Sequence, residues 1–237
     1  MMEQKPEQDL DLFTREKQSN AAYERIKNRK VIIIGCGNVG SVLATILAES
    51  GIPEMILIDF DDYSYVDNRQ LYSTEETMGQ NKAIATAVGI TRRVRCYAVP
   101  YNANAIDLLK DKIIDPSNYD VFLCVDSVPA RKEIVKLINT FDHTGVTLDV
   151  GVEKNAIQIA NYGEKTPDNL YGQDDGAAHC VTIPLASFKA FMAASIMASA
   201  YFSIFEVVGT EDEPLVPPDH ALQIYTNTMT RFSRKIP

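Results

Sequence analysis

Val31-Ile32-Ile33-Ile34-Gly35-Cys36-Gly37-Asn38-Val39-Gly40 is the stretch that decides the fold. Four β-branched residues in a row read as a strand buried on both faces, and they run directly into Gly35-x-Gly37-x-x-Gly40. A helical segment follows over residues 41–49. Glycines let the chain turn tightly and let a phosphate approach the backbone, while the helix N-terminus offers free N–H groups and the positive end of its dipole. A second apolar strand, Met55-Ile56-Leu57-Ile58, then delivers Asp59, about twenty residues on, where a carboxylate can hold a ribose hydroxyl. The glycine pattern alone is a weak signal. In the order strand, turn, helix, strand, acid, it points to a nucleotide site.

The 237 residues, 46% hydrophobic and 23% charged, fit one α/β domain with a small appendage rather than two full cores. We expect residues 1–29 to form an N-terminal arm and short helix, and residues 30–237 a single domain. A net charge of −9 and a pI near 4.9 argue against a broad nucleic-acid-binding face. Residues 1–29 are polar, so no secretory signal is expected. Cys36, Cys96, Cys124 and Cys180 are far apart, with no CxxC pair, and His143, His179 and His220 have no ligand spacing. Zinc is therefore not expected, and reduced thiols in the cytoplasm are. Residues 185–208 are apolar over nearly membrane-spanning length. Lys189, Glu206 and several serines interrupt the run, so a buried or interface helix is the expectation and a membrane span is not.

Further along, strands are expected at residues 96–99, 120–125, 146–150 and 156–162, with one closing strand over 221–231. Helices are expected at 21–27, from Thr77 through about Arg92, at 107–114 and at 130–140. Residues 163–176 read as a polar, mobile connection, which with the segment up to Cys180 forms a crossover loop. This alternation predicts a Rossmann-like, mainly parallel sheet with helices on both faces and antiparallel additions at the C-terminus. Ligands in such sheets bind at the carboxyl ends of strands, where Gly35, Asp59 and Asp126 all fall.

A nicotinamide dehydrogenase would explain the glycines and Asp59 but leaves Arg69, Gln70, Lys82 and Asp126 without roles. Two cations and a further acid beside a nucleotide suit adenylation, in which a carboxylate attacks the α-phosphate of ATP and pyrophosphate departs. Charge on the phosphate oxygens calls for Arg or Lys, and a bridging magnesium ion calls for a carboxylate. The simpler roles are solvent exposure for Arg69 and Lys82, and for Asp126 the capping of the helix at 130–140.

The order GxGxxG, Asp59-Phe60-Asp61, Asn68-Arg69-Gln70, Gly79-x-x-Lys82-Ala83 and Cys124-Val125-Asp126-Ser127, with Arg131 downstream, resembles the ubiquitin-activating-enzyme-like ThiF/MoeB/HesA adenylyltransferases. The resemblance is specific over about residues 30–160 and looser afterwards. It implies an ATP- and magnesium-dependent enzyme that activates the C-terminal Gly-Gly carboxylate of a ubiquitin-like or sulfur-carrier protein as an acyl-adenylate, working as a homodimer. Gly35, Gly37, Asn38, Gly40, Asp59, Asp61, Asn68, Arg69, Gln70, Lys82, Asp126 and Ser127 would contact the nucleotide, with Arg69 and Lys82 on the phosphates and Asp126 on magnesium.

The loop before Arg69 is one residue shorter than the family's Asn-x-x-Arg-Gln, so either Asp67 or Asn68 takes the asparagine position. Arg15 is the candidate for an arginine passed to a neighbouring subunit. Cys180, which follows Asp174-Asp175-Gly176-Ala177-Ala178-His179, is either a nucleophile or an inert thiol; Cys36, Cys96 and Cys124 are expected to be structural. Three rival readings stand beside this one: an enzyme adenylating a peptide or tRNA-borne carboxylate, a NAD-dependent oxidoreductase, and a non-catalytic nucleotide-binding scaffold.

Overall fold

The computed structural model of the chain describes residues 21–65, 70–153, 155–171, 186–207, 212–225 and 229–236. Helix α1 (Ala21–Ile26) leads into β1 (Lys30–Ile34), α2 (Asn38–Glu49) and β2 (Glu54–Ile58). Then come α3 (Lys82–Thr91), β3 (Tyr97–Tyr101), α4 (Ala105–Lys110), β4 (Asp120–Leu123), α5 (Val128–Ile138) and β5 (Thr147–Val152). The chain continues through β6 (Ala156–Tyr162), α6 (Pro167–Tyr171), α7 (Ala186–Glu206), β7 (His220–Tyr225) and β8 (Thr230–Lys235). The strands form one sheet in the order β3-β2-β1-β4-β5-β6-β7-β8. The first five are parallel and the last three antiparallel, as the sequence predicts.

The chain leaves β1 toward β2 and β3, then returns to place β4 on the other side of β1. That reversal opens a crevice beyond the carboxyl ends of β1 and β4, the place where open α/β sheets bind ligands. Side chains alternate across the sheet. Val31 and Ile33 pack into the core shared by α2, α3 and α7, while Ile32 and Ile34 pack into the core shared by α4 and α5. Both faces are covered, which is why β1 reads as an unbroken apolar run.

Within the apolar segment at 185–208, residues 186–206 form α7, long and apolar enough to cross a membrane and half buried in the molecule. Ala193, Ala194, Met197, Ala198 and Tyr201 face the core, and small residues let α7 lie close against α2. The Tyr201 hydroxyl donates to Asp120 at 2.7 Å. Asp120, fully buried at the start of β4, also accepts from the Arg29 guanidinium and, at 2.8 Å, from the Val146 N–H. A buried carboxylate is tolerated only when its lone pairs are used in this way.

Beyond shifts of up to three residues at element ends, four differences from the sequence reading stand out. The closing strand is a hairpin, β7 and β8, because β8 is exposed along its whole length and carries no burial alternation to betray a strand. Helix α3 starts at Lys82 rather than Thr77; Asn81 caps it and the preceding residues form turns. Helix α4 covers 105–110 rather than 107–114, since Asn104 supplies its cap. Within the polar connection, residues 167–171 form α6.

Candidate nucleotide site

Gly35 follows β1 with φ +92°, and its N–H donates to the Ile58 carbonyl at 2.8 Å. A Cβ there would meet the Cys124 carbonyl oxygen at 2.7 Å, and one at Gly40 would meet the Gly35 carbonyl oxygen at 1.8 Å. Both positions therefore need glycine for packing: the loop is pressed between α2 and the exit of β4. Gly37 differs, because a Cβ there would face open space. It is also the N-cap of α2 and supplies no side-chain cap, whereas Asn81, Asn104 and Ser127 cap α3, α4 and α5. The first-turn amides of α2, beginning at Asn38, are left to an outside acceptor, and a phosphate fits a cradle of that kind.

Asp59 lies one residue beyond β2. Its two oxygens accept from the backbone N–H groups of Cys36, at 2.6 Å, and Asp61, at 2.8 Å. These bonds fix the carboxylate at the edge of the glycine loop and leave lone pairs for hydroxyl donors. Burial raises its pKa above the usual carboxylate range, and the amides of Asp61 and Cys36 pull it back only in part.

Lys82 is the first residue of α3 and is buried. Its Nζ stands 3.4 Å from Asp61 Oδ2 and its charge also bears on Asp59. The Asp61 side chain is 54% exposed, so the pair is long and open to solvent on one side. A polyanion reaching this edge meets the ammonium charge of Lys82 there.

Asp126 is exposed, three residues beyond the end of β4. The cap of α5 is Ser127, which accepts from Ala130 N–H at 3.3 Å, so Asp126 does not have the capping role. The turn beneath it is braced. Arg131 donates to the Val125 carbonyl and pairs with buried Asp149, whose other oxygen accepts from the Tyr162 hydroxyl at 3.0 Å. Since the Cys124 and Val125 backbone lies against Gly35, the Asp126 turn, the glycine loop and Asp59 occupy one edge of the sheet.

Gln70 is half-buried and its carbonyl closes a turn with Ser73 N–H at 3.1 Å. Arg15, Asn68, Arg69 and Cys180 lie outside the described residues. Burial, with Asp59 nearby, pushes the Cys36 thiol well above its usual range; burial carries Cys96 to about 11 and Cys124 to about 12. All three are protonated, packed thiols. Among the described residues no cluster of His, Cys, Asp and Glu has the makings of a metal site.

Sequence reasoning missed Asn81 and the partners of Arg131. Asn81 carried a signal, an amide residue directly before an alanine-rich helix. Asp149, an acid in an apolar strand, also needed a partner, but its spacing to Arg131 and Tyr162 has no local pattern.

Residues 10–235 match the model of the ThiF family, and the chain belongs to that family. It is 31% identical over 147 residues to ubiquitin-like modifier-activating enzyme 5 of Dictyostelium discoideum, covering 57% of this chain and 38% of that protein. It is 38% identical over 116 residues to adenylyltransferase and sulfurtransferase MOCS3 of Danio rerio, covering 45% and 23%. The matched region thus spans well under half the length of these relatives. Among solved structures, Escherichia coli MccB with AMPCPP and MccA superposes with a TM-score of 0.70 at 20% identity, over 97% of this chain and 72% of that one. PaaA gives 0.68 at 19% identity, over 91% and 66%. At such identities the superpositions establish the Rossmann-like fold.

Proposed function

We propose that this chain is an ATP-dependent adenylyltransferase that activates the C-terminal glycine carboxylate of a ubiquitin-like or sulfur-carrier protein. The observation that carries the reading is the gathering of an uncapped glycine cradle, a ribose-competent carboxylate at Asp59 and a buried ammonium at Lys82 on one sheet edge. Relatives named as a modifier-activating enzyme and as an adenylyltransferase support it.

In this reading the α2 amides and Lys82 hold the triphosphate and Asp59 accepts from the ribose hydroxyls. The acceptor carboxylate oxygen bonds to the α-phosphorus as the bond to the pyrophosphate oxygen breaks, giving acyl-adenylate and pyrophosphate. Lys82 meets charge that grows on the phosphate oxygens, which is where a fixed cation lowers a barrier most. Asp126 would hold magnesium, which supplies further neutralisation of the phosphates. Arg69 joins Lys82 on the phosphates and Arg15 completes the site across a homodimer.

The exposed apolar residues Phe188, at 60%, and Phe191, at 46%, on α7 suit a contact between subunits. The reading places the enzyme in the cytoplasm.

ATP–pyrophosphate exchange with a panel of acceptors tests it: a small ubiquitin-fold protein ending in Gly-Gly, the same protein lacking both glycines, and a short peptide. Exchange only with the intact protein is expected. Exchange driven equally by the peptide would move the assignment to another carboxylate, and tight NAD(H) binding without exchange would overturn it.

A further inference from the structure

Residues 61–63 and 79–82 are paired with each other at the site edge. Lys82 N–H donates to the Asp61 carbonyl at 2.9 Å, Tyr63 N–H to Gln80 at 2.9 Å, and Gly79 N–H to Tyr63 at 2.9 Å. Asp62 and Asn81 sit opposite each other in this short antiparallel bridge. Gly79, with φ +78°, makes the turn into it.

Asn81 is 4% exposed at the centre of this base, and its side chain is bonded at both ends. Nδ2 donates to the carbonyls of Asp59 and Asp61, each at 3.0 Å. Oδ1 accepts from Ala83 N–H at 3.0 Å and Ile84 N–H at 3.2 Å, the first turn of α3. A simple cap needs only the oxygen. The amide end does separate work: it fastens the segment bearing Asp59 to the helix that starts with Lys82.

We propose that Asn81 is a positioning residue for ATP, setting the Lys82 ammonium at a fixed place relative to the Asp59 carboxylate, so that one nucleotide reaches both. This rests on the ATP site proposed above and adds a residue that touches no reacting atom. Ser in its place keeps a good cap but cannot span to the two carbonyls, so Asn81→Ser separates the two tasks. Asn81→Gln, too long for the same four bonds, is a second variant.

The test is the affinity of the full chain for ATP with Mg2+, by calorimetry, in wild type, Asn81→Ser, Lys82→Ala and the double variant, with thermal midpoints alongside. Asn81→Ser is expected to weaken ATP binding about tenfold with its melting transition kept. In the Lys82→Ala background the same change is expected to cost less than about threefold, because its effect runs through that lysine. Equal losses in both backgrounds, or wild-type affinity in Asn81→Ser, would overturn the proposal. If Asn81→Ser alone fails to fold, Asn81→Gln carries the same comparison. A wild type that bound ATP but gave no exchange with any acceptor would defeat the adenylation reading alone, whereas one that bound no ATP would defeat both.

Discussion

Gly37 and Gly40 look alike in the motif and do different things in the structure. Gly40→Ala would drive a methyl into the Gly35 carbonyl and should destabilise the fold by about 3 kcal/mol, read by chemical denaturation. Gly37→Ala faces open space but puts a poorer residue at the N-cap, so stability should fall by no more than about 1 kcal/mol while ATP affinity falls about tenfold, about 1.4 kcal/mol. Asp59 gives a pH prediction. Its folded pKa is raised, so the stability it contributes is complete below the ordinary value of 3.8 and is lost as pH rises through the raised value. The ionised carboxylate is the stronger hydroxyl acceptor, so ATP affinity should climb over that same window. Calorimetry against pH should find a midpoint above 3.8 that Asp59→Ala removes; a midpoint at or below 3.8 would contradict this account of the carboxylate.

At the scale of elements, the exit of β4 is the part with a brace behind it. Asp149→Asn should remove the buried carboxylate that pairs with the Arg131 guanidinium and cost about 3–5 kcal/mol by denaturant unfolding. A loss under 1 kcal/mol would show that the network holds nothing. The brace also explains what was legible beforehand and what was not. Gly35, Asp59 and Lys82 were readable because each belongs to a local pattern of strand, turn and helix start. Asp149 and Tyr162 were not, because their meeting with Arg131 depends on how β5 and β6 lie beside α5. The start of α3 was misplaced for a related reason: Gly79 and Gln80 pair back onto Tyr63, a long-range constraint that a helical reading of alanine-rich sequence does not register.

Over the whole molecule, the parallel half of the sheet followed from the alternation of apolar strands and helices, and the antiparallel half was anticipated in kind. The final hairpin was not, since β8 is exposed on both faces. Helix α7 was read as a buried or interface helix; its core face is buried, and it keeps Phe188 and Phe191 in solvent. If these residues meet a second copy, Phe188→Asp with Phe191→Asp should convert a dimer to a monomer in sedimentation velocity with the fold retained; a wild type sedimenting as a monomer at micromolar concentration contradicts that contact.

The central claim is that opposed charges on one sheet edge hold a triphosphate for attack by a carboxylate. Pyrophosphate exchange in wild type, Lys82→Ala and Asp126→Ala, at saturating acceptor and with magnesium varied, tests it most directly. The account predicts rates lowered about 10²–10³-fold in each variant, with folding intact. Wild-type exchange in either variant would contradict it.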